Sequence, residues 1–289
     1  MKHFQGLFCL CASMLLLSAG THCMAGGPDG DVLRPERLRG TTWYLGFDAG
    51  LNYAQYFGTH AYRAGLMNQN YLISTWARFE GGNGFGFILN GTVDVPLSDK
   101  TGFVAKLGYI GRTDTYSSTF DNPIFYIDPA TGFPDHATLT SELELSMQFV
   151  NIDLLLRYQL ARKSWYVLGG LSIGLLQGSS GTFTQSIVSP DGVTYPAYTA
   201  AGGITPSGFR ALEIRDVEIK EFEETRFAIK AGVGTWIPLS KTVFFTPELC
   251  LDFPLNAFLD QPGEALMFIP ASDMRFMTVT LTAGLRFGL

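Results

Sequence analysis

From residue 42 onward the chain alternates apolar and polar positions in eight separate stretches: 42–54, 84–95, 101–113, 142–160, 165–177, 222–237, 242–254 and 274–288. In the first, Trp43, Leu45, Phe47, Ala49, Leu51 and Tyr53 share one face, and Tyr44, Gly46, Asp48, Gly50 and Asn52 the other. The seventh sets Val243, Phe245, Leu249, Leu251 and Phe253 against Thr246, Glu248, Cys250 and Asp252. A period of two puts successive side chains on opposite sides of a strand, so each stretch predicts a β-strand. All reach the roughly 9–11 residues that a tilted strand needs to cross a bilayer. The fourth is irregular: Leu143, Leu145, Met147 and Phe149 run in one phase, and Val150, Ile152, Leu154, Leu156 and Tyr158 in the other. That predicts a phase switch at Phe149–Val150, in the form of a β-bulge.

The connections alternate in length. Long ones fall at 55–83, 114–141, 178–221 and 255–273; short ones are 96–100, 161–164 and 238–241. Short turns at one end and long loops at the other are the asymmetry of outer-membrane barrels. The pattern predicts an all-β fold, an eight-stranded antiparallel transmembrane up-and-down β-barrel over residues 41–289.

Bulk decides which face meets lipid. The interior of an eight-stranded barrel is just wide enough for its own side chains. The Phe, Trp, Leu and Tyr of the apolar face would overfill it, whereas the opposite face is rich in Gly, Thr and Ser. Trp43, Tyr53, Tyr109, Tyr158 and Trp165 fall near strand ends, where interfacial girdles sit. With the apolar face outside, five acids (Asp48, Asp94, Asp153, Glu248, Asp252) and five bases (Lys106, Arg112, Arg157, Lys230, Arg286) point inward. Charges in a narrow lumen are costly unless paired. Equal numbers predict a cross-linked plug rather than a path lined by one sign of charge.

Composition adds the compartment. The chain is 46% hydrophobic and 16% charged, with no apolar run of spanning-helix length after its N-terminus. A net charge of −6 without a basic, aromatic-interleaved patch speaks against nucleic acid. Lys2 and His3, the apolar stretch Leu7 to Leu17, and Cys23-Met24-Ala25 before Gly26 read as a cleavable signal peptide over 1–25. Residues 26–40 then form a polar periplasmic N-terminal segment. Cys9, Cys11 and Cys23 leave with the signal, so Cys250 has no disulfide partner in the exported chain.

The stretches SMQFVNIDLLLRYQL and WYVLGGLSIGLLQG, joined by a short turn, and then RFAIKAGVGTWIPLSKTVFFTPEL, resemble the PorT-like outer-membrane β-barrels of Bacteroidota. More distantly the architecture is similar to OmpA-type and OmpX-type barrels. The alternation of Leu281, Ala283, Leu285, Phe287 and Leu289 resembles the C-terminal signal read by the barrel-assembly machinery. The resemblance implies fold and location, and seldom a single activity.

No catalytic or cofactor pattern emerges. His60 and His136 fall in the first two long connections and are expected to be solvent-exposed. No zinc-ligand spacing or phosphate-binding glycine motif is present, and Gly81 to Gly86 reads as loop followed by small lumen residues. Asp121, Asp128 and Asp135 lack calcium-loop spacing. The acidic run Glu213 to Glu224 alternates Ile and Val with charge, predicting strands that extend above the membrane as a hairpin. The expected role is a non-enzymatic barrel with a charge-plugged lumen, structural or displaying its loops to an extracellular partner. Its other partners are outer-membrane lipid, lipopolysaccharide and, during biogenesis, the assembly machinery. A small channel or transporter and a lipid-modifying enzyme are the alternatives.

Overall fold

A computed structural model describes residues 42–68, 71–127, 134–160, 164–199, 204–217, 224–261 and 272–289. The expected signal peptide and N-terminal segment lie outside them. The strands are β1 (Tyr44–Asn68), β2 (Tyr71–Phe79), β3 (Gly82–Pro96), β4 (Thr101–Ile127), β5 (Pro134–Gln159), β6 (Trp165–Ser189) and β7 (Pro196–Thr199). They continue with β8 (Ile204–Pro206), β9 (Ala211–Val217), β10 (Thr225–Thr235), β11 (Ile237–Pro238), β12 (Val243–Pro254), β13 (Leu259–Gln261) and β14 (Ser272–Gly288).

Eight of these strands form an antiparallel ring in the order β1-β3-β4-β5-β6-β10-β12-β14. It closes by pairing β14 to β1, from Gly288 opposite Tyr44 to Asp273 opposite Thr59. Closure gives the ring strands ladder partners on both sides, which a lipid environment demands of backbone N–H and C=O groups. Two short turns are fixed locally. The Ser98 hydroxyl accepts from the Thr101 amide at 3.1 Å, and the Ser240 hydroxyl from the Val243 amide at 3.1 Å. Each turn follows a Pro-Leu-Ser sequence, which explains why it recurs.

The burial pattern inverts that of a water-soluble protein. Trp43, Phe47, Leu51, Phe85, Phe87, Leu107, Leu156 and Leu171 are exposed, while Asp48, Lys106, Asp153, Glu248 and Arg286 are buried. Along β5 and the residue after it, the outward apolar positions run from Val150 to Leu160. Ten residue steps measure about 33 Å along a strand. At a tilt of roughly 40° this spans about 25 Å, the height of an outer-membrane apolar band. Yet β5 has 26 residues, more than twice what the band uses.

That surplus corrects two expectations. The first three long connections are not simply loops. β1 and β4 continue upward to Asn68 and Ile127, β5 begins at Pro134, and β6 reaches Ser189. β2 pairs with the upper half of β1, and β9 with the upper part of β6. Glu213 to Val217 therefore lie in a strand, while 218–223 lie outside the described residues.

The phase switch at Phe149–Val150 also does not occur. Odd-numbered residues of β5 are buried without interruption from Ala137 to Gln159. The chemistry changes sides instead. Below Val150 the inner face is Asn151, Asp153, Leu155 and Arg157; above it the inner face is Phe149, Met147, Leu145 and Leu143. Outward positions there become Gln148, Ser146, Glu144 and Glu142, facing water rather than lipid. The irregularity lies across the β5–β6 ladder, where Gln148 faces Gly178 and Phe149 faces Leu176, leaving Gln177 as the extra residue.

The orientation of the faces is testable at one residue. Leu249 lies between Val233 and Leu281 within the apolar band. Leu249→Arg should lower unfolding free energy in lipid vesicles by about 2–4 kcal/mol, as basic residues near the midplane do. Unchanged urea unfolding would invert the assignment.

Candidate functional site

The inner face is the candidate site, since the buried polar groups collect there. All ten inward charges read from the sequence are buried, and two more join them, Asp114 and Arg226. Among the described residues this makes six buried acids and six buried bases.

Four groups can be followed from strand to strand. On β1 and β14, Asp48 receives two hydrogen bonds from Arg286 (Nη2 to Oδ2 at 3.1 Å), and Lys106 Nζ lies 3.1 Å from Asp48 Oδ2. Lys106 also contacts Glu248, whose Oε1 accepts from the Tyr166 hydroxyl at 2.8 Å and lies 3.4 Å from Arg286 Nη2. Nearer the short turns, Arg157 grips Asp94 bidentately at 2.9 and 3.1 Å. Across β5, β10 and β12, Lys230 joins Asp153 at 2.6 Å and approaches Asp252 at 3.5 Å; Arg226 stands 3.7 Å from the same Asp252. Higher up, Arg112 Nε donates to Asp114 at 3.0 Å, and the Tyr56 hydroxyl donates to the same carboxylate at 2.7 Å.

Glycine makes the room for these groups. A Cβ on Gly284 would sit 1.9 Å from Asp48 Oδ1, and one on Gly84 would sit 1.4 Å from Asp114 Oδ1. Each carboxylate lies across a glycine of the neighbouring strand. The small inward positions are thus part of the charge network.

Aromatic layers bound the ionic one. Below, Trp236 packs against Tyr44, Phe244 and Tyr166 at ring distances of 5.1, 5.2 and 5.9 Å, with Arg157 over its ring. Above, Phe276 meets Tyr56 at 5.0 Å and Phe258 at 5.3 Å. Both the Arg112 and the Arg226 guanidinium carbons approach Phe276, at 4.0 and 4.3 Å. This upper layer opens into an apolar core of Leu139, Leu143, Leu145, Met147, Phe183 and Tyr195 between the extended strands.

Sequence reasoning passed over Asp114 and Arg226. Asp114 lies one residue beyond the predicted end of the third strand, and on the same face as Arg112. Arg226 lies four residues before Lys230, again on the inner face, so the phase of β10 carried the signal. His60 requires a further correction. It is 2% exposed, inside the extended part of β1, with Phe79 and Tyr116 as ring neighbours at 6.1 and 6.3 Å. The same inward face that carries Asp48 and Asn52 continues above the membrane and takes His60 with it. The side chains of His136, Asp121 and Asp135 lie outside the described residues, and so does Asp128.

Burial pushes the His60 imidazole down from about 6.5 to about 4. The folded state therefore prefers neutral imidazole. That preference stabilises fully above pH 6.5 and is lost as the pH falls from there toward 4, by an amount on the order of 3 kcal/mol. Amide protection factors in the β1–β2 hairpin, which correct exchange for its intrinsic pH dependence, should fall between pH 7 and pH 5 and stay flat in His60→Phe; an equal fall in both would remove the histidine from the cause.

Residues 35–260 match the family described as outer membrane protein beta-barrel domain. Among solved structures, OprG from Pseudomonas aeruginosa is similar at 8% identity and a TM-score of 0.33, over 86% of this chain and 98% of that one. Ail of Yersinia pestis, in complex with the heparin analogue sucrose octasulfate, matches at 11% identity and 0.30, over 85% and 99%. The outer membrane protease OmpT from Escherichia coli matches at 8% and 0.31, over 86% and 97%. No curated protein matches the chain.

Proposed function

We infer the role of this protein from one premise: the chain belongs to the outer membrane protein β-barrel domain family, and it is an outer-membrane β-barrel protein. We propose that its lumen is closed and that it works as a non-enzymatic membrane post, structural or presenting its extracellular strands to a partner. The PorT-like strand pattern at 146–178 supports grouping it with those barrels inside the family. Outer-membrane lipid covers the apolar band, lipopolysaccharide borders its upper rim, and the barrel-assembly machinery inserts it.

The observation that carries this reading is the filling of the interior. A balanced ionic layer lies between an aromatic layer at the short-turn end and an aromatic and apolar layer above. A selective path would be lined by one sign of charge or by a hydrated ring of it; here each buried acid has a base within ion-pair range. Strands projecting above the membrane around a packed core supply a rigid support for their apices. Proteoliposomes containing the protein should swell in small sugars no faster than empty ones. Fast, size-graded swelling would replace the post with a channel.

A further inference from the structure

The geometry points to a bound-water site inside the barrel, between Arg226, Asp252 and Thr278, at the junction of the ionic and upper aromatic layers. The inference deepens the closed-lumen reading and rests on it.

Three side chains at this level carry polar atoms without hydrogen-bond partners. These are Nε and Nη2 of Arg226, Oδ1 of Asp252 and Oγ1 of Thr278. All three residues are at least nine-tenths buried, at 5%, 2% and 2% exposure. They are neighbours, for Asp252 faces Thr278 across β12–β14 and its Oδ2 is 3.7 Å from Arg226 Nη1. Its Oδ1 stands 3.5 Å from Lys230 Nζ. Both carboxylate oxygens thus hold their cations at ion-pair range, longer than a well-formed hydrogen bond. Every other buried acid among the described residues has at least one cation at 3.1 Å or closer, as at Lys230–Asp153 and Arg157–Asp94. Asp252 has none that close.

The wall beside it accepts a small side chain. A Cβ on Gly174, which faces Arg226 across β6–β10, would have Asn151 Oδ1, Arg226 Cβ and Phe149 Cδ1 as its nearest neighbours, at contact distances of 3.6, 3.7 and 3.8 Å. Elsewhere in the lumen such a Cβ collides, as on Gly170, Gly232 or Gly284.

The mixture of orphan groups selects the occupant. An anion would satisfy the Arg226 donors but face the Asp252 carboxylate. A cation would satisfy Asp252 but face Arg226 and Lys230. Water both donates and accepts, and buried waters typically make about three hydrogen bonds to such groups. An apolar guest would leave every one of them unsatisfied. Water therefore fits this level, held between layers too apolar to pass it on.

The test is a crystal structure of the detergent-solubilised full chain at a resolution that shows waters, together with the variant Gly174→Ser. The wild type should show at least one solvent peak within hydrogen-bond distance of Arg226 Nε or Nη2 and of Asp252 Oδ1 or Thr278 Oγ1. Gly174→Ser should fold, keep a thermal transition no lower than wild type, and lose or shift that peak as its hydroxyl enters the space. Direct Arg226–Asp252 contact below 3.2 Å with no solvent peak would overturn the site and leave the closed lumen intact. A continuous file of solvent through both aromatic layers would instead overturn the closed lumen, and with it a confined site.

Discussion

Arg286→Ala should be among the most damaging single substitutions in the lumen. It removes both hydrogen bonds to Asp48 and the 3.4 Å contact to Glu248, leaving two buried acids with Lys106 as their shared cation. Breaking a buried pair from one side typically costs about 3–5 kcal/mol, because the stranded charge cannot reach bulk water. Urea unfolding in lipid vesicles should report a loss of that size, accompanied by small new ionic leakage as the lumen hydrates. Combining Arg286→Met with Asp48→Asn leaves Lys106 and Glu248 as a neutral pair. The double variant should recover stability relative to the sum of the single losses, by a coupling of about 0.5–3 kcal/mol. Strict additivity would mean that the two groups do not act as a pair.

Phe276→Ala should cost a comparable amount for a different reason. Phe276 is 1% exposed and contacts Tyr56, Phe149 and Phe258, so its removal opens a large cavity among rings that cannot collapse together. Truncations of buried Phe cost about 3–5 kcal/mol. Arg112 and Arg226 both rest on this ring, and each desolvated cation–π contact contributes up to roughly 2 kcal/mol. Phe276→Leu restores most of the volume and none of the π surface, so it separates the two causes. It should remain measurably less stable than wild type, with Phe276→Ala lower still. Equal stability of Phe276→Leu and wild type would assign the whole effect to packing.

The difference between what was legible in the sequence and what was not follows from the solvent on each side of the strand. Within the band one face meets lipid and the other meets an interior of fixed width, so residues such as Phe47 and Asp48 announce their sides by apolarity and size. A period of two identifies a face but not its surroundings. Above Val150 the outer solvent becomes water, and the same strand inverts its chemistry while keeping its geometry. Glu142 and Glu144 then point out, and Leu143, Leu145 and Phe149 point in. A reader of alternation alone sees this as a change of phase, which is why the switch at Phe149 was expected and the continuous strand was not. His60 was lost for the same reason, since a histidine beyond the band looks like a loop residue until the strand is known to continue. Partner choice within the charge layer was not readable, because it depends on ring order and stagger. Lys106 and Glu248 lie on β4 and β12, which are not neighbours in the ring, and they meet only because the lumen is narrow.

The most direct test of the closed lumen is electrical. The purified, refolded full chain is inserted into planar bilayers and its current compared with that of the Arg286→Ala variant. Insertion of the unmodified barrel should add no resolvable steps above the bare bilayer, while the variant produces small, irregular ones. Large, steady, cation-selective steps from the unmodified protein would contradict the account.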